Sequence, residues 1–426
     1  MGWREVECLG RLAPMLQEDK QILWRTSAVL IGAALPSMLL GKGIMFTLLL
    51  LGMFSGLMAT KDESLRVTLR MLLDSRITML ALLLLASLLV GVATGINPLF
   101  ALNAWEQVAF VGFAGAAMFV TLREMPGRHI ELLMKVLVIG TFIAAGLAIA
   151  DALIHDPRLS AALHGPDMAL MPQRLNYMSS VLAVILPFGW ARLMIKSREG
   201  EPFAGRIALP AASLGLVVAL VCGDIAGWVG LGVAVLLFFW LAGHYHSFVV
   251  HKRHWLMAIG LLLLSAVLYG FAFGWTTVAG RTADMLGKLG GIWHVGLVHI
   301  LDKPVFGIGV MNYRNLPGAA DLHPHSWLLQ MLLEGGIVST AIFITMMVLV
   351  MRRFSVFAKG SLYGVAAVAS LSAFLVSGMA NTSIFNGWWM TFMLVSCLFG
   401  WRAGWGGSDL KKRRRAPNVV KSTTGF

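Results

Sequence analysis

The chain has 426 residues, 58% of them hydrophobic and 13% charged, with a formal net charge of +13. A soluble domain carries roughly twice that charged fraction, so a water-soluble enzyme is excluded. The apolar runs are long and unbroken, which excludes a transmembrane barrel with its short alternating strands and predicts an all-α polytopic membrane protein.

The first 25 residues mix charges of both signs and lack an apolar core, unlike a cleavable secretion signal. Twelve transmembrane helices are predicted, over 27–41, 44–60, 77–96, 107–122, 132–153, 177–195, 207–223, 226–243, 255–275, 326–351, 362–380 and 386–401. The first two divide at Gly41-Lys42-Gly43. Between the second and third, Lys61–Arg76 is amphipathic and is expected along the inner membrane surface.

An even number of spans puts both ends on one side. With the ends in the cytoplasm, all but seven of the 34 Lys and Arg fall in cytoplasmic segments, as the positive-inside rule requires. The net charge then faces anionic membrane lipids. It is densest at Lys411-Lys-Arg-Arg-Arg415 in the basic tail 402–426, and no nucleic-acid partner is needed to explain it.

The seven exceptions are Lys42, Arg158, Arg174, Arg281, Lys288, Lys303 and Arg314, and six of them lie in two outward loops, 154–176 and 276–325. They are either solvated loop charges or an anion site fit for a phosphate or pyrophosphate. Asn176 and Tyr177, after Arg174, read equally as an interfacial anchor or as a wall of that site.

The stretch Thr276–Ile337 is the one long polar segment. It holds four histidines, His294, His299, His323 and His325. Within it, Gly290–Asp302 places apolar groups at helical spacing and is expected as an interfacial helix ended by Pro304. The outer aspartates form no paired cluster, and His323 and His325 have no further Cys or His at zinc spacing, so neither a metal nor a cofactor is expected. Cys8, Cys222 and Cys397 lie too far apart to suggest a disulfide framework. Few charges fall inside spans and no internal repeat is visible, which argues against a transporter.

The run His323-Pro-His-Ser-Trp-Leu-Leu-Gln-Met-Leu-Leu-Glu334-Gly-Gly-Ile resembles the signature of the O-antigen ligase and polymerase superfamily: a His, then Asn, Ser or Gln, then Leu-Gln and Glu-x-Gly. Upstream, Ile292-Trp-His-Val-Gly-Leu-Val-His-Ile-Leu-Asp-Lys-Pro-Val-Phe-Gly-Ile-Gly309 is similar to the family's Trp…Pro-x-x-Gly-x-Gly segment. The resemblance implies a GT-C-like glycosyltransferase of the bacterial inner membrane, with the 276–325 loop in the periplasm. Such ligases move a glycan from undecaprenyl diphosphate to the lipid A core without metal or nucleotide. A polymerase, whose acceptor is another carrier-linked glycan, shares the same motifs.

The family's catalytic His corresponds to His325, followed by Ser326. Two family arginines are replaced: Ile225 stands for one, in Gly223-Asp-Ile-Ala-Gly-Trp228, and Leu289 for the other. Either Arg281, Lys288 or Arg174 supplies the missing charge, or the activity has changed. The resulting expectation is His325 and Arg281 as catalytic groups, with Arg174, Lys288, Arg314, His323 and Asn176 binding substrate. A sugar hydroxyl must lose its proton as it attacks, and a histidine, with an ordinary pKa of about 6.5, suits that task.

Overall fold

The computed structural model describes residues 3–38, 41–154, 172–199, 225–246, 275–319, 321–380 and 383–415. Among the described residues the chain is helical and contains no strand. In chain order the helices are α1 (Trp3–Ser37), α2 (Lys42–Ala59), α3 (Asp62–Leu73), α4 (Arg76–Ala93), α5 (Pro98–Glu124), α6 (Gly127–Ile154) and α7 (Pro172–Arg198). They continue as α8 (Ile225–His246), α9 (Trp275–His299), α10 (Trp327–Glu334), α11 (Gly336–Ala358), α12 (Leu362–Ser377) and α13 (Gly387–Arg415). The expected spans 207–223 and 255–275 lie outside the described residues, save Trp275, which begins α9.

Among the described residues, five helices are long and apolar enough to cross a membrane: α2, α4, α5, α8 from Ala226, and α11; α12 is apolar but shorter. Their outward faces suit lipid. On α4, Leu82, Leu83, Leu89 and Val90 are all exposed. A row of that kind facing water would be an aggregation surface, whereas against acyl chains it costs nothing.

With lipid outside, helices associate through close packing and polar links rather than through exclusion of water. Gly52 and Gly56, one turn apart on α2, let α1 approach so closely that a methyl group at Gly52 would meet Ile31 at 2.7 Å. The Ser27 hydroxyl donates to the Gly52 carbonyl at 2.7 Å, and the Ser55 hydroxyl to the Leu23 carbonyl at 3.0 Å. Helix α12 is enclosed on nearly every side, by α7, α8, α11 and α13. Its Ser370 hydroxyl donates to the Val184 carbonyl of α7 at 2.6 Å.

Two differences from the sequence-based expectation bear on the site. The expected helix Gly290–Asp302 is the end of a much longer one: α9 starts at Trp275 and runs into a 3-10 turn over Ile300–Asp302, so the first half of the 276–325 segment is helical. Its glycines at 287, 290, 291 and 296 are weak helix formers, but Leu289 and Gly296 are buried, and a methyl group at Gly296 would meet Leu329 of α10 at 3.0 Å. Tertiary packing overrides the weak helix propensity of glycine there.

The expected span 326–351 is also two helices. Gly336 has φ +69, which ends α10 and restarts the chain as α11. Such a break orphans the last carbonyls of one helix and the first N–H groups of the next. The segment 304–309 satisfies both. Ile308 and Gly309 donate to the Leu333 and Glu334 carbonyls at 2.9 and 3.0 Å, while the Pro304 carbonyl accepts from the Ile337 N–H at 2.9 Å.

Candidate active site

The motif residues of α10 build a platform before they build a site. Glu334 is fully buried. Its carboxylate accepts from the Tyr313 N–H at 2.9 Å, the Met311 N–H at 2.9 Å and the Gln330 side-chain amide at 2.8 Å. Burial pushes its pKa up to about 7, against the pull of those three donors and of the Arg314 charge. Gln330 in turn accepts from the Ile384 N–H at 3.1 Å. The Leu-Gln and Glu-x-Gly elements thus pin the 3-10 turn Asn312–Asn315 onto α10.

Gly307 makes the close approach possible. Its φ is +73, and a Cβ there would be driven into the Glu334 carbonyl, so no other residue fits. The pinned turn carries Arg314, whose guanidinium carbon lies 4.9 Å from the centre of the Phe100 ring, and whose buried Nε has no hydrogen-bond partner among the described residues. Tyr313 reaches the other way and donates its hydroxyl to the Ile292 carbonyl of α9 at 3.1 Å.

The other end of α10 holds the histidines. Ser326 is the N-cap, and its hydroxyl accepts from the Leu329 N–H at 3.5 Å. Trp327 fixes this end to α12: its backbone N–H donates to the Gly378 carbonyl and its indole N–H to the Leu375 carbonyl, both at 2.9 Å. His325 therefore stands one residue before the cap rather than in the first helical turn. Its φ of +52 is a left-handed conformation that a non-glycine residue adopts only when its surroundings impose it.

That turn brings three side chains together. His325 Nε2 lies 2.9 Å from Asp321 Oδ2, and the His323 and His325 rings are 4.2 Å apart. The His325 backbone N–H donates to His323 Nδ1 at 3.3 Å. Burial, aided by the His325 and Arg314 charges and opposed by Asp321, depresses the His323 pKa to about 4. For Asp321, burial alone would raise the pKa. The hydrogen bonds from His325 and the Leu322 N–H, with the two histidine charges, outweigh it and hold the carboxyl low. Asp321 is accordingly an ionised carboxylate in contact with His325. Among the described residues no group of three His, Cys, Asp or Glu is arranged to hold a metal ion.

The residues singled out in the sequence divide in three. His323 and His325 meet at the head of α10, and Arg314, on the turn pinned by Glu334 at the other end, acts on His323 through its charge. Lys288 is exposed on α9 and enters none of the contacts above. Arg281 lies on α9 and Arg174 and Asn176 near the start of α7, and the side chains of all three fall outside the described residues. Away from the cluster, His294 is exposed and His299 pairs with Asp302 at 2.6 Å on the surface.

Asp321 was not legible as part of this site. It is one of several outer aspartates, and its spacing of four from His325 would ordinarily mark a helix face, whereas here a turn joins them.

No family model matches this chain, and no curated protein is significantly similar to it.

Proposed function

We propose that this chain is a membrane glycosyltransferase of the O-antigen ligase kind, moving a glycan from undecaprenyl diphosphate to a sugar of the lipid A core at the periplasmic face of the inner membrane. The observation that carries the reading is His325 against the Asp321 carboxylate, at the head of the helix bearing Gln330 and Glu334.

The acceptor hydroxyl gives its proton to His325 as its oxygen bonds to the anomeric carbon of the donor. The bond from that carbon to diphosphate breaks, and diphosphate leaves with the electron pair. One displacement inverts the anomeric centre. The leaving charge is held by arginine, since a guanidinium in a partly desolvated site stabilises an oxyanion without a metal. Arg281 and Arg174 take that role, and Arg314 adds positive charge beside the histidines.

The test is transfer of labelled glycan from its carrier in vesicles reconstituted with the purified protein and a lipid A-core acceptor. His325→Ala is expected to lower turnover by roughly 10²–10⁴, the contribution of a general base. His323→Ala is expected to keep substantial activity. Near-normal turnover by His325→Ala would sink the mechanism. Label arriving on carrier-linked glycan instead of on the core would identify a polymerase.

A further inference from the structure

We propose that the last turns of α9, with Val305 beyond them, are seated among the acyl chains of the bilayer leaflet next to the histidine cluster, and that the edge of the water crosses α9 between His294 and Leu297. The partner of this surface is lipid. The inference stands whether or not the chain transfers glycan.

One face of α9 changes character halfway along. Gly287, Gly291, His294, Val298 and Leu301 follow at helical spacing and share a line down the helix. All five are exposed. Up to His294 the exposed groups are glycines, Asp284, Lys288 and His294, with Leu286 a lone apolar side chain among them. From Leu297 they are large and apolar: Leu297, Val298 and Leu301, the last of them 80% exposed, and then Val305. The opposite face is occupied in both halves, since Leu289, Gly296 and the partly buried Ile292 and Val295 pack inward. Water suits the first half and not the second.

Continuity identifies what covers the apolar half. The Ile337 N–H donates to the Pro304 carbonyl at 2.9 Å and the Val338 N–H to the Val305 carbonyl at 3.3 Å, so Val305 stands beside the first turn of α11. Helix α11 is long and apolar enough to cross a membrane, and Ile337, Ile344 and Val348 are exposed along one of its faces. On the other side, Gly91 of α4 lies so close to the Phe306 carbonyl that a methyl group there would be driven into it, and Leu89 and Val90 of α4 are exposed next to it. The end of α9 therefore extends the surface that α4 and α11 already turn towards acyl chains.

The charges nearby suit headgroup depth. His299 Nδ1 pairs with Asp302 Oδ2 at 2.6 Å, and Lys303 donates to the Thr94 carbonyl at the C-terminal end of α4. A lysine reaching such a carbonyl keeps its head near water while its stem runs along apolar surface.

This seat fixes a height. The Ile292 carbonyl of α9 accepts from the Tyr313 hydroxyl, and Gly296 packs on Leu329 of α10. A lipid-seated end of α9 therefore holds the pinned turn and the start of α10 at a set distance from the membrane surface.

The experiment places a nitroxide on single cysteines in the full chain, in a cysteine-free background, reconstituted in vesicles of phosphatidylethanolamine and phosphatidylglycerol. The variants are Gly287→Cys, Gly291→Cys, Val298→Cys and Leu301→Cys. A methyl group at Gly287 or Gly291 meets nothing within 4 Å, and Val298 and Leu301 are exposed, so the fold accommodates all four. Collision with dissolved oxygen, which concentrates among acyl chains, is compared with collision with a nickel chelate, which stays in water. The oxygen-to-nickel ratio is expected to lie below unity at 287 and 291 and to shift above it at 298 and 301. Nickel dominating at 298 and 301 would place the whole face in water and overturn the proposal. Oxygen dominating at all four positions would overturn the boundary at His294. Exclusion of both reagents from 298 and 301, with spin–spin broadening between labels, would show a second copy of the chain on this face and overturn lipid as its partner.

Discussion

Glu334→Gln isolates the latch that holds the site together. The carboxylate offers Oε1 to the Tyr313 N–H and Oε2 to both the Met311 N–H and the Gln330 amide. Glutamine has one oxygen. In its better orientation that oxygen keeps Met311 and Gln330, and its NH₂ is turned against the Tyr313 N–H. One buried donor loses its acceptor, at a cost of about 1–3 kcal/mol. At about 1.4 kcal/mol per decade, this raises the population of the opened 312–315 turn by roughly 5- to 150-fold.

Amide hydrogen exchange at pH 8 reads it, a pH at which a carboxyl of pKa about 7 is mostly ionised. The Tyr313 amide should exchange faster by that factor and the Met311 amide much less. Transfer should fall as well, because the turn carries Arg314. Equal protection of Tyr313 in variant and wild type would refute the latch, and equal acceleration of both amides would refute the assignment of oxygens.

Three further outcomes are expected. His323 stays neutral in the fold until about pH 4 but takes up a proton near 6.5 when unfolded, so stability should be lost as pH falls through that window, by about 3 kcal/mol at most. His323→Asn should flatten the fall in Tm between pH 7 and 4, and an unchanged slope would exclude His323 as its source. Arg281→Ala should abolish transfer, with Arg281→Lys a partial rescue because lysine lacks the bidentate fork; normal transfer by Arg281→Ala alongside loss in Arg314→Ala would move the diphosphate site onto the pinned turn. In a cysteine-free background, Leu322→Cys should react with an impermeant thiol reagent from the periplasmic side and Ser408→Cys should not, the reverse pattern inverting the topology.

The helices and the membrane character were legible because apolar runs declare themselves residue by residue. So was the amphipathic segment after α2: it forms α3, where Val67, Leu69, Met71 and Leu73 are exposed and Thr68 is buried against Glu124 of α5, its hydroxyl donating at 2.8 Å. The division of α10 from α11 was not legible. Hydrophobicity runs straight through Gly335-Gly336, and only the carbonyls and amides of 304–309, some thirty residues back in the chain, make the break tolerable.

The cluster of His323 and His325 with Asp321 was half legible. The histidines stand out in a polar stretch, but their link to Asp321 depends on a single left-handed residue that no periodicity announces. Gln330 and Glu334 were visible as motif letters. That Glu334 accepts from Met311 and Tyr313, 21 to 23 residues upstream, while Gln330 donates to it, emerges only from the packing.

Helix α10 is eight residues long and is held at both ends, by Gly378 and Leu375 of α12 at its start and by Ile308 and Gly309 at its finish. It therefore acts as a gauge. One added residue would turn one end against the other by about 100° and lengthen it by about 1.5 Å, so that either the histidine end or the glutamate end must leave its seat. The spacing between Ser326 and Gly335 is then a stricter requirement than the identity of the apolar residues between them. Lineages descended from this chain should drift in the letters of α10 long before they drift in its length.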